Sequence, residues 1–387
     1  MNDQKDERKV DILWRNQIYP DAEGIFSFKP KLINEVKNDC IVIPDTNSLL
    51  VPFTTGKQSL GQIEQIYKQL VENKRLFIPA QVAREFAEHR VTKLKELYQQ
   101  IANKKAKSLS LGIYPLLKGL PNYKEAVDLE PQINNVIQNY NKAIENMLAK
   151  IRDWYWNDPV SDMYNTLFSK NVVFDFKIEE TNLRERLNKN SEYKLPPGYK
   201  DSNKLDDGVG DLIIWLSILE VAKKEKKDLI FVSLDQKADW WSQSEGRHLY
   251  PRYELIDEYR RASGGKSLHL LTFSEFLELF GASKEVVDEV RKEENQVLSE
   301  DIDIISLAIR VEKALRKFLA SSGLLNQAQN FFLKDIKLAE SYGFKKTQEV
   351  QYFWKVRNKI AHGLDVREED ITLAVEAGLA VLSNIQE

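Results

Sequence analysis

The sequence predicts an α/β domain followed by a small all-α domain, and three observations carry this. Four short runs are continuously apolar, helical patterns lie between or after them, and beyond Gly281 no strand pattern competes with helix. The runs are Ile41-Val42-Ile43, Leu76-Phe77-Ile78, Leu229-Ile230-Phe231-Val232 and Leu268-His269-Leu270-Leu271. Strands covered on both faces read this way, without polar alternation. Pro44 and Pro79 end the first two. Helical spacing covers about 59–73, 80–107, 210–225 and 273–280, so strands alternate with helices and a mostly parallel sheet is expected.

Residues 108–200 interrupt that alternation and are read as a helical insertion. Its main element is a long helix near 123–157, with Val127, Ile133, Ile137, Tyr140, Ile144, Met147 and Ile151 at near-helical spacing. Trp154, Tyr155 and Trp156 close it, and core packing is the preferred reading of these aromatics over base stacking. Residues 283–299 form a charged helical linker. Helices are then expected at about 302–321, 327–342, 346–362 and 368–385, separated by turns at Gly323, Gly343 and Gly363. The expected division is 38–282 for the α/β domain and 300–387 for the helical one.

Composition bounds the function. The 387 residues exceed one ordinary core, and 42% apolar content is ample for two. The 56 basic and 59 acidic residues nearly cancel to a net charge of -3, so no global basic character points to nucleic acid. Cys40 is the single cysteine, which excludes an internal disulfide and a multi-cysteine zinc site. The charged opening MNDQKDERKVD is followed by no apolar segment, and no run approaches the ~18–20 apolar residues of a membrane span. A cytoplasmic location without membrane contact is expected.

The informative acids are those next to the strands. Asp45 follows the first strand, Glu85 lies on the helix after the second, Asp211 begins a helix and Asp235 follows the third strand. Ligands of parallel α/β sheets collect beyond the carboxyl ends of strands, so these elements would deliver carboxylates to one mouth. Clustered carboxylates repel unless cations neutralise them, and Mg²⁺ or Mn²⁺ among them can drive phosphodiester hydrolysis. Any one of these acids could equally be a helix cap or turn residue.

Four ordered blocks then resemble the PIN-like nuclease family. IVIPDTNSLL (41–50) looks like its DTN opening, and FIPAQVAREFAEHR (77–90) resembles the strand, proline and Glu-bearing helix of its second motif. PPGYKD (196–201), GDLIIW (210–215) and FVSLDQKADWW (231–241) resemble a bacterial branch carrying PPG-x-x-D, GD-x-x-x-W and T-x-D-x-K-x-DWW. The resemblance spans residues 38–281 and implies a Mg²⁺- or Mn²⁺-dependent nuclease. It assigns Asp45, Glu85, Asp211 and Asp235 to the catalytic, metal-binding positions, with Asn47, Ser233 and Asp239 in support. Ser233 replaces the branch's usual Thr, and Leu234 replaces a frequent second acid. The third acid stays open among Asp201, Asp207 and Asp211: Asp211 is preferred, Asp201 is the second choice, and a longer helix would put Asp207 and Asp211 on one face.

Basic residues Lys74, Arg75, Arg84, Arg90, Lys93 and Lys95 could touch phosphates or form a solvated face. In the helical domain, RNKIAHG (357–363) resembles the Arg-x4-His motif of HEPN domains. Arg357, Asn358 and His362 would then be a second, metal-independent ribonuclease site, or part of a dimerising module. The reading is a metal-dependent endonuclease, RNA favoured over DNA, homodimeric through 300–387, in the toxin or phage-defence repertoire. The alternatives are a HEPN ribonuclease with a PIN-like recognition module, and a non-catalytic binding or sensor protein.

Overall fold

The computed structural model describes residues 13–168, 171–199, 209–235, 237–244, 247–300, 304–321, 345–361 and 366–386. The chain divides into two compact units, Met1–Val287 and Asp288–Glu387.

The first unit is built on parallel strands. β1 (Ile41–Pro44), β4 (Leu229–Val232) and β7 (Leu268–Leu271) form a sheet in the order β1-β4-β7. β2 (Ile78–Pro79) and β3 (Val173–Phe174) pair in parallel, and an isolated parallel bridge between Val42 and Leu76 sets β2 beside β1. β5 (Trp241–Ser244) and β6 (Arg247–Pro251) make an antiparallel hairpin after β4. Every residue of β1 and β4 is buried, as the unbroken apolar runs require. The 108–200 segment is not purely a helical insertion. It supplies β3, whose two half-buried residues are too few to show a period.

Helices cover the strands. α1 (Trp14–Ile18), α2 (Ala22–Ser27) and α3 (Ile33–Val36) precede the sheet. Asp21 reaches Arg260 and Lys31 reaches Asp228, tying this lead-in to the domain. α4 (Thr46–Leu50) follows β1, and α5 (Lys57–Glu72) leads to β2. α6 (Ala80–Ala102) leaves β2 and α7 (Pro121–Asp153) is the long helix of the insertion. α8 (Pro159–Leu167), α9 (Glu180–Tyr193) and α10 (Val209–Glu225) follow, then α11 (Tyr253–Ser263) and α12 (Phe273–Leu279), while α13 (Lys284–Glu300) runs across the division into the second unit. α10 buries Leu212, Ile214, Trp215, Ile218, Leu219 and Val221, so it is apolar nearly all round and sits inside the unit.

Two arginines from the basic set are structural. Arg75 Nε donates to Cys40 O at 2.7 Å and its guanidinium also reaches Lys37 O, stitching the chain before β1 to that before β2. Arg90 is 8% exposed and ion-paired with Asp158, itself 1% exposed. Asp158 also caps α8, accepting from Ser161 N at 2.9 Å. Arg84 and Lys93 pair with Asp175 and Glu96 at the surface.

In the second unit, helices Ile304–Ser321, Thr347–Ala361 and Glu368–Gln386 pack around Leu307, Val311, Leu315, Val350, Phe353 and Val375. A Cβ at Gly378 would lie 2.9 Å from both Leu307 and Phe353, so this glycine sets how closely the helices approach. The expected helix 327–342 falls outside the described residues.

Removing one partner of a buried ion pair leaves the other charge uncompensated, at a cost of about 3–5 kcal/mol. Asp158→Ala is therefore expected to lower the unfolding free energy of the first unit by an amount on this order, seen as a lower denaturant midpoint, since the helix cap goes too. Tryptophan fluorescence reads that unit, which holds six of the seven tryptophans. An unchanged midpoint would refute the structural role assigned to the pair.

Candidate active site

Strand register builds the site. β1 pairs with β4 so that Ile41 lies beside Leu229 and Pro44 beside Val232. The next residues, Asp45 and Ser233, are therefore neighbours at the carboxyl ends. Asp45 N donates to Val232 O at 2.8 Å and Ser233 N to Leu271 O at 3.0 Å, which fixes both backbones. β2 flanks β1 on one side and β4 on the other, so Asp45 sits where the strand order reverses.

Ser233 uses its full hydrogen-bonding capacity. Its Oγ accepts from Asn47 Nδ2 at 3.3 Å and Asp235 N at 3.0 Å, and donates to Asp45 Oδ2 at 2.8 Å. With both lone pairs engaged, the hydroxyl proton is directed onto the carboxylate. Asn47 Oδ1 in turn accepts from Leu234 N at 3.0 Å. Asn47 and Ser233 thus join the turn after β4 to the start of α4.

Asp45 is both cap and site residue: Oδ1 accepts from Thr46 N at 2.8 Å at the start of α4. Thr46 Oγ1 donates to Glu85 Oε2 at 2.6 Å, and Gln81 Nε2 to Glu85 Oε1 at 3.0 Å. Thr46 and Gln81 were not singled out by the sequence reading. The threonine stood inside the D-T-N block, but nothing local said that it would reach Glu85, 39 residues on. Asp235 accepts from Lys237 N at 2.8 Å and pairs with Lys237 Nζ at 3.0 Å.

Burial and mutual repulsion set the electrostatics. Desolvation first, then the charges of Glu85 and Asp235, push Asp45 from its usual 3.8 up to about 6, although Ser233 and Thr46 pull it down. Asp211, in the first turn of α10, is held well above the usual aspartate range by desolvation and by Asp45 and Asp235. Its Oδ2 is buried with no hydrogen-bond partner among the described residues. Asp239, fully buried, is raised by desolvation and by Asp235; its Oδ2 accepts from Gly198 N at 3.0 Å, while Oδ1 has no partner among the described residues. Asp45, Glu85, Asp211, Asp235 and Asp239 therefore share one electrostatic neighbourhood.

Asp201 and Asp207 lie outside the described residues, as does His362. Arg357 is on helix Thr347–Ala361 and donates from Nη1 to Asn358 Oδ1 at 3.0 Å. Of the adjacent tryptophans, Trp240 is core, packed on Phe231 with centroids 5.1 Å apart, and Trp241 donates to Asp235 O at 3.0 Å.

No three His, Cys, Asp or Glu side chains among the described residues are placed to hold an ion by themselves. Mg²⁺ needs fewer, because it keeps several waters and takes one or two carboxylates. Hard oxygen donors, raised carboxyls and the orphaned Asp211 oxygen fit such a cation.

A parallel α/β domain with acids gathered at its switch point is the class that fold and site define. Residues 41–255, more than half of the chain, match the family model described as PIN-like domain, and the chain belongs to that family. Its class is thereby that of a nuclease. No curated protein and no solved structure matches it. No helix among the described residues is long and apolar enough to cross a membrane.

A carboxyl whose folded value is raised binds more protons folded than unfolded between the two values. Stability of the metal-free protein is thus expected to fall as pH rises from about 4 to about 6, by about 2–3 kcal/mol from Asp45. Asp45→Asn should flatten this slope and be at least as stable as wild type at pH 7. Urea midpoints across pH measure it; a variant that is less stable at pH 7 and keeps the slope would contradict the repulsion described.

Proposed function

We propose that the protein is a Mg²⁺- or Mn²⁺-dependent endonuclease that hydrolyses phosphodiester bonds, RNA in preference to DNA. The observation that carries this is the convergence of Asp45, Asp211 and Asp235, with two carboxyls raised by burial and one Asp211 oxygen unpartnered. One or two of Asp45, Glu85, Asp211 and Asp235 would hold the cation directly and the others through its waters, with Asp239 behind them. Bound there, Mg²⁺ or Mn²⁺ activates water and neutralises charge on the leaving oxygen. Ser233, Thr46 and Gln81 orient Asp45 and Glu85, so the donor set is ordered before substrate arrives. Lys237 offsets charge at Asp235. Asp201 and Asp207 remain alternatives for the third acid. The P-P-G and D-W-W blocks support the reading that the chain is of the branch that carries them.

The unit at 300–387 is proposed to be HEPN-like and to dimerise the enzyme, on the strength of the Arg357-Asn358…His362 spacing and the partly buried Phe318 and Trp354. Joining two such units suggests a toxin or phage-defence role in the cytoplasm. Light scattering on the full chain is expected to give a dimer at micromolar concentration; a monomer would refute it.

Labelled RNA and DNA substrates with Mg²⁺, Mn²⁺ or EDTA test the chemistry. Cleavage is expected to vanish in EDTA and to drop at least a hundredfold in Asp45→Asn and Asp235→Asn, with the fold intact. Ser233→Thr should retain activity that Ser233→Ala loses. His362→Ala should reduce cleavage only as far as it weakens dimerisation. RNA cleavage that persists in EDTA, leaves 2′,3′-cyclic phosphate ends and disappears in His362→Ala would instead make Arg357 and His362 the active residues.

A further inference from the structure

The aromatics that end α7 are not core: Tyr155 is 80% exposed and Trp156 58%. They border a groove of about 570 Å³ whose other wall is α6, through Val91, Leu94, Lys95 and Tyr98. Trp156 is held in place although it is exposed. The Arg90 guanidinium lies 4.6 Å from its ring centroid, and Arg90 is itself anchored by buried Asp158. A fixed cation lies over the ring, and the side chain is still more than half exposed. Tyr155 adopts φ +52, a left-handed conformation that costs a bulky side chain on the order of 1 kcal/mol. The position follows the C-cap of α7, where a left-handed residue ends many helices, and the ring it carries stays exposed.

The lining itself is mostly apolar, with Lys95 its one charged side chain, and the chain around it is basic. Residues 91–107 and 148–156 carry seven Lys and Arg against two Asp and Glu, in a chain of net charge -3. Lys93 and Lys105 are ion-paired, whereas Lys95, Lys104, Lys107 and Lys150 have no ion pair among the described residues. The groove also lies on the helix that carries Glu85. From Glu85 to Val91 is roughly 9 Å along the axis, and the groove face is about a third of a turn away.

We propose that this groove binds single-stranded polynucleotide, with bases stacked on Trp156 and Tyr155 and phosphates on Lys95 and the lysines that follow α6. Exposed aromatic faces within a positive groove bind unpaired strands with little sequence preference, because every base has a π-face. The proposal rests on the nuclease reading only in treating that strand as the enzyme's substrate.

Fluorescence anisotropy of the full-length protein tests it. The probes are labelled 2′-O-methyl uridine and thymidine oligonucleotides, which distinguish the RNA-like from the DNA strand, and a duplex of equal length. Both single strands are expected to bind, the duplex more weakly. Trp156→Ala should weaken binding about tenfold or more. Tyr155→Asn, whose side chain tolerates the left-handed backbone, should weaken it without loss of stability. Lys95→Gln should lower the salt slope by about 1. Wild-type affinity in both aromatic variants overturns the proposal, as does a groove that takes an amphipathic Leu-rich peptide but no oligonucleotide. Cleavage, assayed separately, keeps the two readings apart. A wild type that binds through Trp156 but never cleaves refutes the nuclease alone, and one that cleaves without dependence of binding on Trp156 refutes the groove alone.

Discussion

Everything at the candidate site depends on the pairing of β1 with β4. Because Pro44 lies opposite Val232, Asp45 and Ser233 emerge side by side, and a single hydroxyl can bridge them. A one-residue shift would turn the buried strands over and separate the pair. The register is held by apolar burial of all four residues in each strand, far from the charges it positions. The site therefore does not stabilise itself. Burial of Phe231, Trp215 and Trp240 behind it supports side chains that repel one another at its front.

The hydrogen bonds around the acids moderate that repulsion without removing it. Ser233 and Thr46 N–H lower Asp45, yet desolvation outweighs them. Asp211 has less help, with one oxygen unpartnered among the described residues. Unpaired buried polar atoms are costly, and they persist where the surrounding fold leaves no alternative. This imbalance separates the cluster from ordinary caps and turns. Asp158, a cap with Arg90 and Ser161 satisfying it, shows what a structural acid looks like in the same unit.

Much of the α/β core was legible because its strands are short, unbroken apolar runs, two of them ended by proline. The β3 strand was not, since Val173 and Phe174 are too few and only half-buried. The acids could be read from their place after strands, but Thr46 could not be joined to Glu85, which meets it only through tertiary packing. Arg90 looked like part of a phosphate-binding or solvated face because its partner is 68 residues away. The Trp154–Trp156 cluster was read as core on the general habit of aromatics. The exposure of Trp156 follows from contacts with Arg90 that no local pattern announces.

These misreadings share α6, which serves three ends along one length. Near its start Glu85 meets Thr46 beside the acids, in its middle Arg90 is locked to Asp158, and its last turns wall the groove that Tyr155 and Trp156 border. A helix with one uniform face could not do this, and its burial is accordingly sparse: only Ala80, Val82 and Arg90 are buried. In the proposed reading α6 carries both a metal-site acid, Glu85, and a wall of the groove, so the two share one helix. On that reading the lysines around the groove would attract a polyanion, and the bare acids would repel it until a cation neutralises them.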